Sequence, residues 1–303
     1  MAEVSLRGRL EHDVSMSRYV SWRAGGVARR VYEPADLADL SIFLRHLPSN
    51  EAIWMLGLGS NLLVRDGGID ATIISMHPSV GEVKRLPDAP GGYGRVYAQA
   101  GVASPKMARF CAKQGLSGAA FLAGIPGTVG GALAMNAGCF GSQMWEIVSE
   151  VETINRQGQL QRRDKSAFEV GYRSVQSLFS DEEWFTGVVV MLVEGDSEKS
   201  RQEIRELLAK RIKTQPLDFP NAGSVFRNPP GDYAARLIEA CGLKGYEIGG
   251  AQVSCKHANF IINKGDATAA DIEALIGLME EKVLKQFGIR LVREVRIIGV
   301  GAT

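Results

Sequence analysis

Cysteine is scarce in this chain. Cys111, Cys139, Cys241 and Cys255 are the four in 303 residues, and none falls in a CxxC or other paired spacing. That argues against a disulfide framework and against a zinc site, and the four read as small hydrophobes. Long hydrophobic runs are absent as well. The longest, Val188–Val193, is far short of the roughly 18 residues a membrane-spanning helix needs. The opening MAEVSLRGRLEHD lacks the basic and apolar regions of a signal peptide, so the expected location is the cytoplasm, with no membrane association. Charge of one sign is missing too: 35 basic against 34 acidic residues leave a net +1. No broad nucleic-acid surface is expected from that balance, and any anionic partner should be small. There is no GxSxG elbow, and His12, His46, His77 and His257 have no recognisable triad context, so a Ser-His-Asp hydrolase finds no support. Repeats and low-complexity tracts are absent, and nothing points to an obligate protein partner.

Glycine, by contrast, is plentiful, with 35 in the chain, and it is concentrated in FLAGIPGTVGGALAMNAGCFG, residues 121–141. Glycine loses more conformational entropy on folding than any other residue, so such a cluster must make something possible, usually close approach to a bound group. Around it, apolar spacing predicts a helix over 34–47, strands over 53–56, 71–75 and 95–100, and a helix opened by Ser104 as N-cap and Pro105, ended by Gly115. Residues 148–163 read as two strands joined at Gln157-Gly158, and 187–194 as a buried strand. From there the character changes: helices are expected over 198–213, 232–241 and 266–287, with strands over 259–263 and 291–298. The pattern is α+β rather than a regular βαβ alternation, with a domain boundary near residue 196, giving domains 1–196 and 197–303. A ligand site would suit the junction.

Several residues can carry chemistry. GLGSN, residues 57–61, follows a strand, and its N–H groups can form an anion-binding nest; the alternative is an ordinary tight turn. It is not a Rossmann fingerprint, because Leu62 stands where the third glycine belongs. Gly57, Gly59, Ser60, Asn61 and Leu62 are the candidates here. In the second cluster the candidates are Gly124, Ile125, Pro126, Gly127, Thr128, Gly130, Gly131, Asn136, Ala137 and Gly138. Two such loops can embrace one pyrophosphate; tight packing is the alternative, and it accounts for Gly130 and Gly131 while leaving Pro126, Thr128 and Asn136 without a role. Arg173, after Tyr172, can grip a carboxylate through two parallel hydrogen bonds, or be a surface residue. Ser224 follows Gly223, where a sharp turn can expose its hydroxyl, with Asn228 close behind; a turn or capping serine is the alternative. On a strand, Val292, Glu294, Arg296 and Ile298 share a face, so Glu294 would sit partly desolvated beside apolar neighbours, unless it pairs with Arg293 or Arg296.

Read together, SWRAGG (21–26), GLGSNLLVRDGG (57–68), GLSGAAFLAGIPGTVGGALAMNAGCFG (115–141), GYRS (171–174), AGSVFRNP (222–229), GGAQVSCKHANFIIN (249–263) and EVRIIG (294–299) resemble the UDP-N-acetylenolpyruvoylglucosamine reductase family, in its shorter type. The resemblance covers nearly the whole chain. It implies a bipartite FAD-binding region of the vanillyl-alcohol-oxidase-like kind, with lobes of about 1–76 and 77–196, followed by a substrate domain. It implies FAD held by the two glycine loops, NADPH as electron donor, and reduction of UDP-N-acetylglucosamine enolpyruvate to UDP-N-acetylmuramate, a peptidoglycan precursor. By the same resemblance, hydride passes from flavin N5 to substrate C3, Arg173 and Glu294 stabilise the resulting enolate-like species, and Ser224 protonates C2. Tyr172, Asn228 and His257 are implied substrate contacts, and Arg211 and Lys213 further candidates for its diphosphate. No metal is implied. Cys255, Asn259 and Arg293 depart from the family's pattern, where glutamate, glycine and proline are expected. A carboxylate beside an enolate would repel it, so Glu294 is expected to hold or share a proton, its pKa raised by apolar surroundings. An FAD-dependent alcohol or sugar oxidase, and a UDP-sugar-binding protein without redox activity, are the competing readings; the motifs around Arg173, Ser224 and Glu294 favour the reductase.

Overall fold

The stretch 187–194 expected as a buried strand is the C-terminal part of a longer one, Glu183–Glu194. Its residues from Thr186 to Val190 are buried on both faces, which is why it reads as a continuous apolar stretch rather than an alternating one. Strands Val148–Asn155 and Tyr93–Gln99 pair antiparallel with it on either side. Beyond them lie Leu160–Asp164 and Val83–Ala89, and the short Leu116–Ser117 pairs with the end of the central strand. The two strands either side of Gln157-Gly158 form the expected hairpin, and Gly158 takes the left-handed φ of +69° that such a turn needs.

Described here are residues 6–77, 79–180 and 182–302 of a computed structural model. They gather into two units. The first takes the chain up to Glu11, Val31–Gly57 and Thr72–Lys210; the second takes His12–Arg30, Leu58–Ala71 and the chain from Arg211 onward. This division departs from a single boundary near 196, because spatial units assembled from separated segments leave no mark on local composition.

In the first unit, helices Ser104–Lys113 and Val129–Ala134 contribute to one core with the central strand, joined by Trp145 and Phe168 with rings 5.1 Å apart. The N-cap of the first of these helices is Ala103, not Ser104, which is its first residue and fully buried. A second core gathers around helix Leu37–His46, where Tyr32 stacks on Phe43 at 3.7 Å. Strand Ile53–Leu56 runs parallel to the end of Ile69–Ser75 and delivers the chain into the first glycine loop.

The second unit is built on helix Ala269–Phe287, three residues shorter at its start than the 266–287 spacing suggests. Thr268 and Asp271 form a reciprocal capping box there, and the carboxylate of Asp66 accepts from the N–H groups of Ala269 and Ala270 at 2.9 and 2.8 Å. Asp66 thus satisfies two N–H groups that a helix start leaves open. Strand Leu62–Val64 pairs in parallel with Arg296–Ile298. Trp22 is fully buried in this unit's core; its indole N–H donates to the Ile261 carbonyl, and the Asn263 amide donates to the Trp22 carbonyl, each at 2.8 Å. Two early motifs of the chain are therefore built into the core formed by its last third.

Candidate active site

GLGSN turns sharply at the end of its strand. A Cβ on Gly57 would stand 2.5 Å from Thr128 Oγ1, so the absent side chain lets the second glycine loop press against the head of the first. Gly59 has φ +61°, and a Cβ there would collide with the Tyr19 carbonyl. Among the described residues, no acceptor takes the N–H of Leu58, Gly59, Ser60 or Asn61. Four successive free donors on a partly buried loop suit an anion. Asn61 also has a structural part, its side chain donating to the Glu294 carbonyl at 3.1 Å and its carbonyl accepting from Arg296 N–H at 3.0 Å. Leu62 is buried as the first residue of its strand.

In the second loop most glycines are required by protein against protein. A Cβ on Gly124 would lie 2.7 Å from Cys139 Sγ, one on Gly130 2.9 Å from Ala100 Cβ, and one on Gly138 2.7 Å from the Ser142 carbonyl. Gly131 differs: it is exposed, and its Cβ would have no protein atom nearer than 3.8 Å. Packing therefore explains Gly130 as expected and does not explain Gly131. Ile125 is buried and Pro126 exposed; Gly127 and Thr128 are buried, and no described acceptor takes their N–H groups. Thr128 caps helix Val129–Ala134, its Oγ1 accepting from Gly131 N–H at 3.4 Å. Buried backbone donors with no protein partner, beside a bare glycine face, fit a diphosphate group.

Asn136, also buried, is the hinge of this loop, with φ +39°. Its amide donates to Gln143 Oε1 and to the Gly171 carbonyl, both at 3.0 Å, and its Oδ1 accepts from Trp145 N–H at 3.1 Å. With those bonds made, its side chain shapes the loop. Gly171 ends strand Phe168–Gly171, which turns through Tyr172 and Arg173 into Ser174–Ser177. Arg173 takes a left-handed φ of +55°, and its guanidinium donates to the carbonyls of Asn136 at 3.2 Å and Gly138 at 2.9 Å. Tyr172 is exposed at the turn, its ring 5.3 Å from that guanidinium.

Ser224 and Glu294 come together in the second unit. Gly223, with φ +75°, makes the expected turn, and Ser224 follows half-buried, its hydroxyl bonded to no described residue. The carbonyl of the next residue, Val225, accepts from Glu294 N–H at 2.8 Å. Glu294 is not on a strand: pairing resumes only at Arg296–Ile298. Val225 also draws the Val295 N–H, at 3.4 Å, so the chain cannot alternate regularly and the shared face expected of residues 292, 294, 296 and 298 does not form. Arg293 gives its guanidinium to both oxygens of Glu280, at 2.6 and 2.7 Å. Asn228 is exposed, its Oδ1 accepting from Ala234 N–H at 3.1 Å and so capping helix Ala234–Ala240. His257 Nδ1 accepts from Asn259 N–H at 3.3 Å, leaving Nε2 to face outward from that pair, and burial, followed by the charge of Lys244, holds its pKa below the ordinary imidazole value. Arg211 bonds Gln215 Oε1 at 2.9 Å, and Lys213 is exposed.

Comparison with known proteins decides what these parts belong to. The profile of the UDP-N-acetylenolpyruvoylglucosamine reductase C-terminal domain matches residues 215–298, and that of an FAD binding domain matches 28–164. UDP-N-acetylenolpyruvoylglucosamine reductase of Thiobacillus denitrificans is 58% identical over 97% of this chain and 93% of its own. That of Alkalilimnicola ehrlichii is 52% identical, over 96% and 95%. The crystal structure of the reductase from Thermus caldophilus superposes with a TM-score of 0.79 at 31% identity, covering 96% of this chain and 99% of its own. The chain belongs to the UDP-N-acetylenolpyruvoylglucosamine reductase family. Its architecture is α+β, an FAD-binding domain joined to the family's C-terminal domain.

Within this family frame the three departures have distinct surroundings. Cys255 is exposed. Arg293 is held by Glu280 as described. Asn259 is buried, and three hydrogen bonds tie it to Val225 and Phe226. From sequence alone Asn259 stands out only as a departure from the family's pattern. An asparagine inside the apolar run ANFII was the available signal, since a buried amide must find partners. Among the described residues no three metal-ligating side chains converge, and no helix is long and apolar enough to cross a membrane.

Proposed function

We propose that the protein reduces UDP-N-acetylglucosamine enolpyruvate to UDP-N-acetylmuramate for peptidoglycan synthesis, using FAD and NADPH. The observation that carries this reading is the backbone bond from Glu294 to Val225, which sets a carboxyl-bearing residue beside Ser224. The free N–H groups of Leu58 to Asn61 and of Gly127 and Thr128 would hold the FAD diphosphate, and the bare surface of Gly131 would let it lie close. Each charge-assisted bond of this kind contributes about 1.5–3 kcal/mol, so several fix a dinucleotide without a lysine. The chemistry that FAD supplies when bound is hydride exchange, from NADPH to the flavin and from its N5 to C3 of the enolpyruvyl group. The guanidinium of Arg173 would compensate the substrate carboxylate as charge grows on it, which acts mainly on the transition state. Ser224 Oγ would hold the proton that C2 receives; a hydroxyl is a poor acid, so placement and a strongly basic acceptor carbon carry that step. Glu294 would hold or share a proton next to that charge. Tyr172, Asn228 and His257 would contact the substrate, and Arg211 and Lys213 its diphosphate. This assigns the cofactor to the segments around the glycine loops and the substrate to the C-terminal part, in a cytoplasmic enzyme.

An anaerobic visible spectrum tests the reading. The purified protein should be yellow, bleach with NADPH, and regain colour on addition of UDP-N-acetylglucosamine enolpyruvate. A protein colourless even after FAD is supplied, or one reoxidised by oxygen alone, would end it. Ser224→Ala should bind the substrate and reoxidise slowly; unchanged single-turnover reoxidation would remove Ser224 from the proton step.

A further inference from the structure

We infer that Asn259 is a positioning residue for the proton-transfer pair Ser224 and Glu294. The inference rests on the function proposed above. Three observations carry it. The Asn259 carbonyl accepts from Val225 N–H at 2.9 Å; its side-chain Oδ1 accepts from Phe226 N–H at 3.0 Å; and its Nδ2 donates to the Phe226 carbonyl at 2.8 Å. The amide side chain thus pairs with the Phe226 backbone as a neighbouring strand would, offering an acceptor and a donor at the same spacing. On its other side the same short segment pairs with the stretch holding Glu294: Phe226 forms an isolated bridge with Arg293, Arg227 N–H donates to the Val292 carbonyl at 2.9 Å, and the Val225 carbonyl receives Glu294 N–H.

Residues 225–227 are therefore gripped between Asn259 and residues 292–294. Ser224 is the first residue outside the grip, directly after Gly223, whose φ of +75° makes the turn. Without the side-chain clamp, nothing in the described hydrogen bonding would fix Phe226 on the Asn259 side except the single bond to Val225. Asn259 and Phe226 are both buried, so water is a poor replacement partner and the lost bonds would be met by a shift of the backbone. A shift of about 1 Å at a reacting group is enough to cost about 100-fold in rate. Asparagine suits the post because aspartate lacks the donor, serine is too short to reach both backbone groups, and glutamine is one methylene too long.

The test is Asn259→Ala in the full-length, FAD-loaded protein, in wild-type and Ser224→Ala backgrounds. NADPH-driven flavin reduction should keep its wild-type rate, while substrate-driven reoxidation should fall about 10- to 100-fold. In the Ser224→Ala background the same substitution should cause a smaller further loss than in the wild type, because part of its effect passes through Ser224. Equal slowing of both half-reactions, full additivity with Ser224→Ala, or unchanged reoxidation would overturn the inference. Hydrogen exchange supplies a readout independent of the reaction: backbone amides in 224–227 and 292–295 should lose protection in Asn259→Ala while helix 269–287 keeps it, and unchanged protection would equally overturn the clamp. If the wild-type protein fails to reoxidise with the substrate, the proposed function falls while the exchange result still judges the clamp. Should the alanine variant not fold, Asn259→Asp, which keeps the acceptor and loses the donor, takes its place; failure of both to fold would make Asn259 simply structural and overturn the inference.

Discussion

The Arg173 guanidinium donates to the Gly138 carbonyl at 2.9 Å, so the arginine assigned to the substrate carboxylate is docked on the tail of the glycine loop assigned to the cofactor. Its second donor, to Asn136 at 3.2 Å, is made by a different nitrogen. The planar guanidinium meets the two carbonyls with two nitrogens held in fixed relation, a geometry that the single nitrogen of an ammonium group does not reproduce. Arg173→Lys should therefore keep its flavin, measured by absorbance, and lose about 100-fold in substrate-driven reoxidation by stopped-flow, a size typical for removing one preorganised charge donor.

Two glycines of the loops should respond in opposite ways to alanine. Gly57→Ala forces a methyl to 2.5 Å from Thr128 Oγ1 and should destabilise the protein by about 1–3 kcal/mol, read by denaturant unfolding. Gly131→Ala sits in a helix with open space before it, and should leave the FAD-free protein as stable or raise it by up to about 1 kcal/mol, as alanine does in helices. The same variant should hold FAD less tightly in titration, if the bare face is where the cofactor lies.

Glu294→Gln preserves size and keeps a hydrogen-bond donor but cannot release a proton. With the Glu294 backbone fixed by Val225 and Asn61, the substitution should change chemistry more than geometry. Reoxidation by substrate should slow at least 10-fold, with flavin reduction by NADPH unaffected. Reoxidation at the wild-type rate would argue that Glu294 has no part in proton handling.

His257 makes stability depend on pH in a known direction. Its folded-state pKa lies below the ordinary value, so the unfolded chain binds the proton more readily. The contribution is fully present above about pH 6.5, the unfolded value, and is lost as pH falls from there toward the depressed folded value. Urea midpoints measured from pH 8 to 5 should fall across that window, and His257→Gln should flatten the slope there.

Where one element's own residues supply the reason for its shape, the sequence shows it. The apolar stretch 187–194, the helix over 37–46 and the left-handed turn at Gly158 are local facts, and the glycine loops announced themselves by composition. At Glu294 the converse holds. LVREVRII alternates as a strand does, but the Val225 carbonyl and Asn61 claim the backbone at 294–296, and those partners are distant in sequence. Asn136 shows the same limit. The loop's composition marks it as special, whereas its task of tying together Gln143, Trp145 and Gly171 exists only in the folded chain.

Trp22 carries a consequence for how the protein is made. Its core partners begin to be complete only with Ile261, 239 residues later in the chain. At about 5–20 residues per second, a ribosome leaves that indole without its native surroundings for about 10–50 s. During this interval the Trp22 indole lacks the Ile261 carbonyl that it bonds in the folded chain, which gives nascent-chain quality control an opening there.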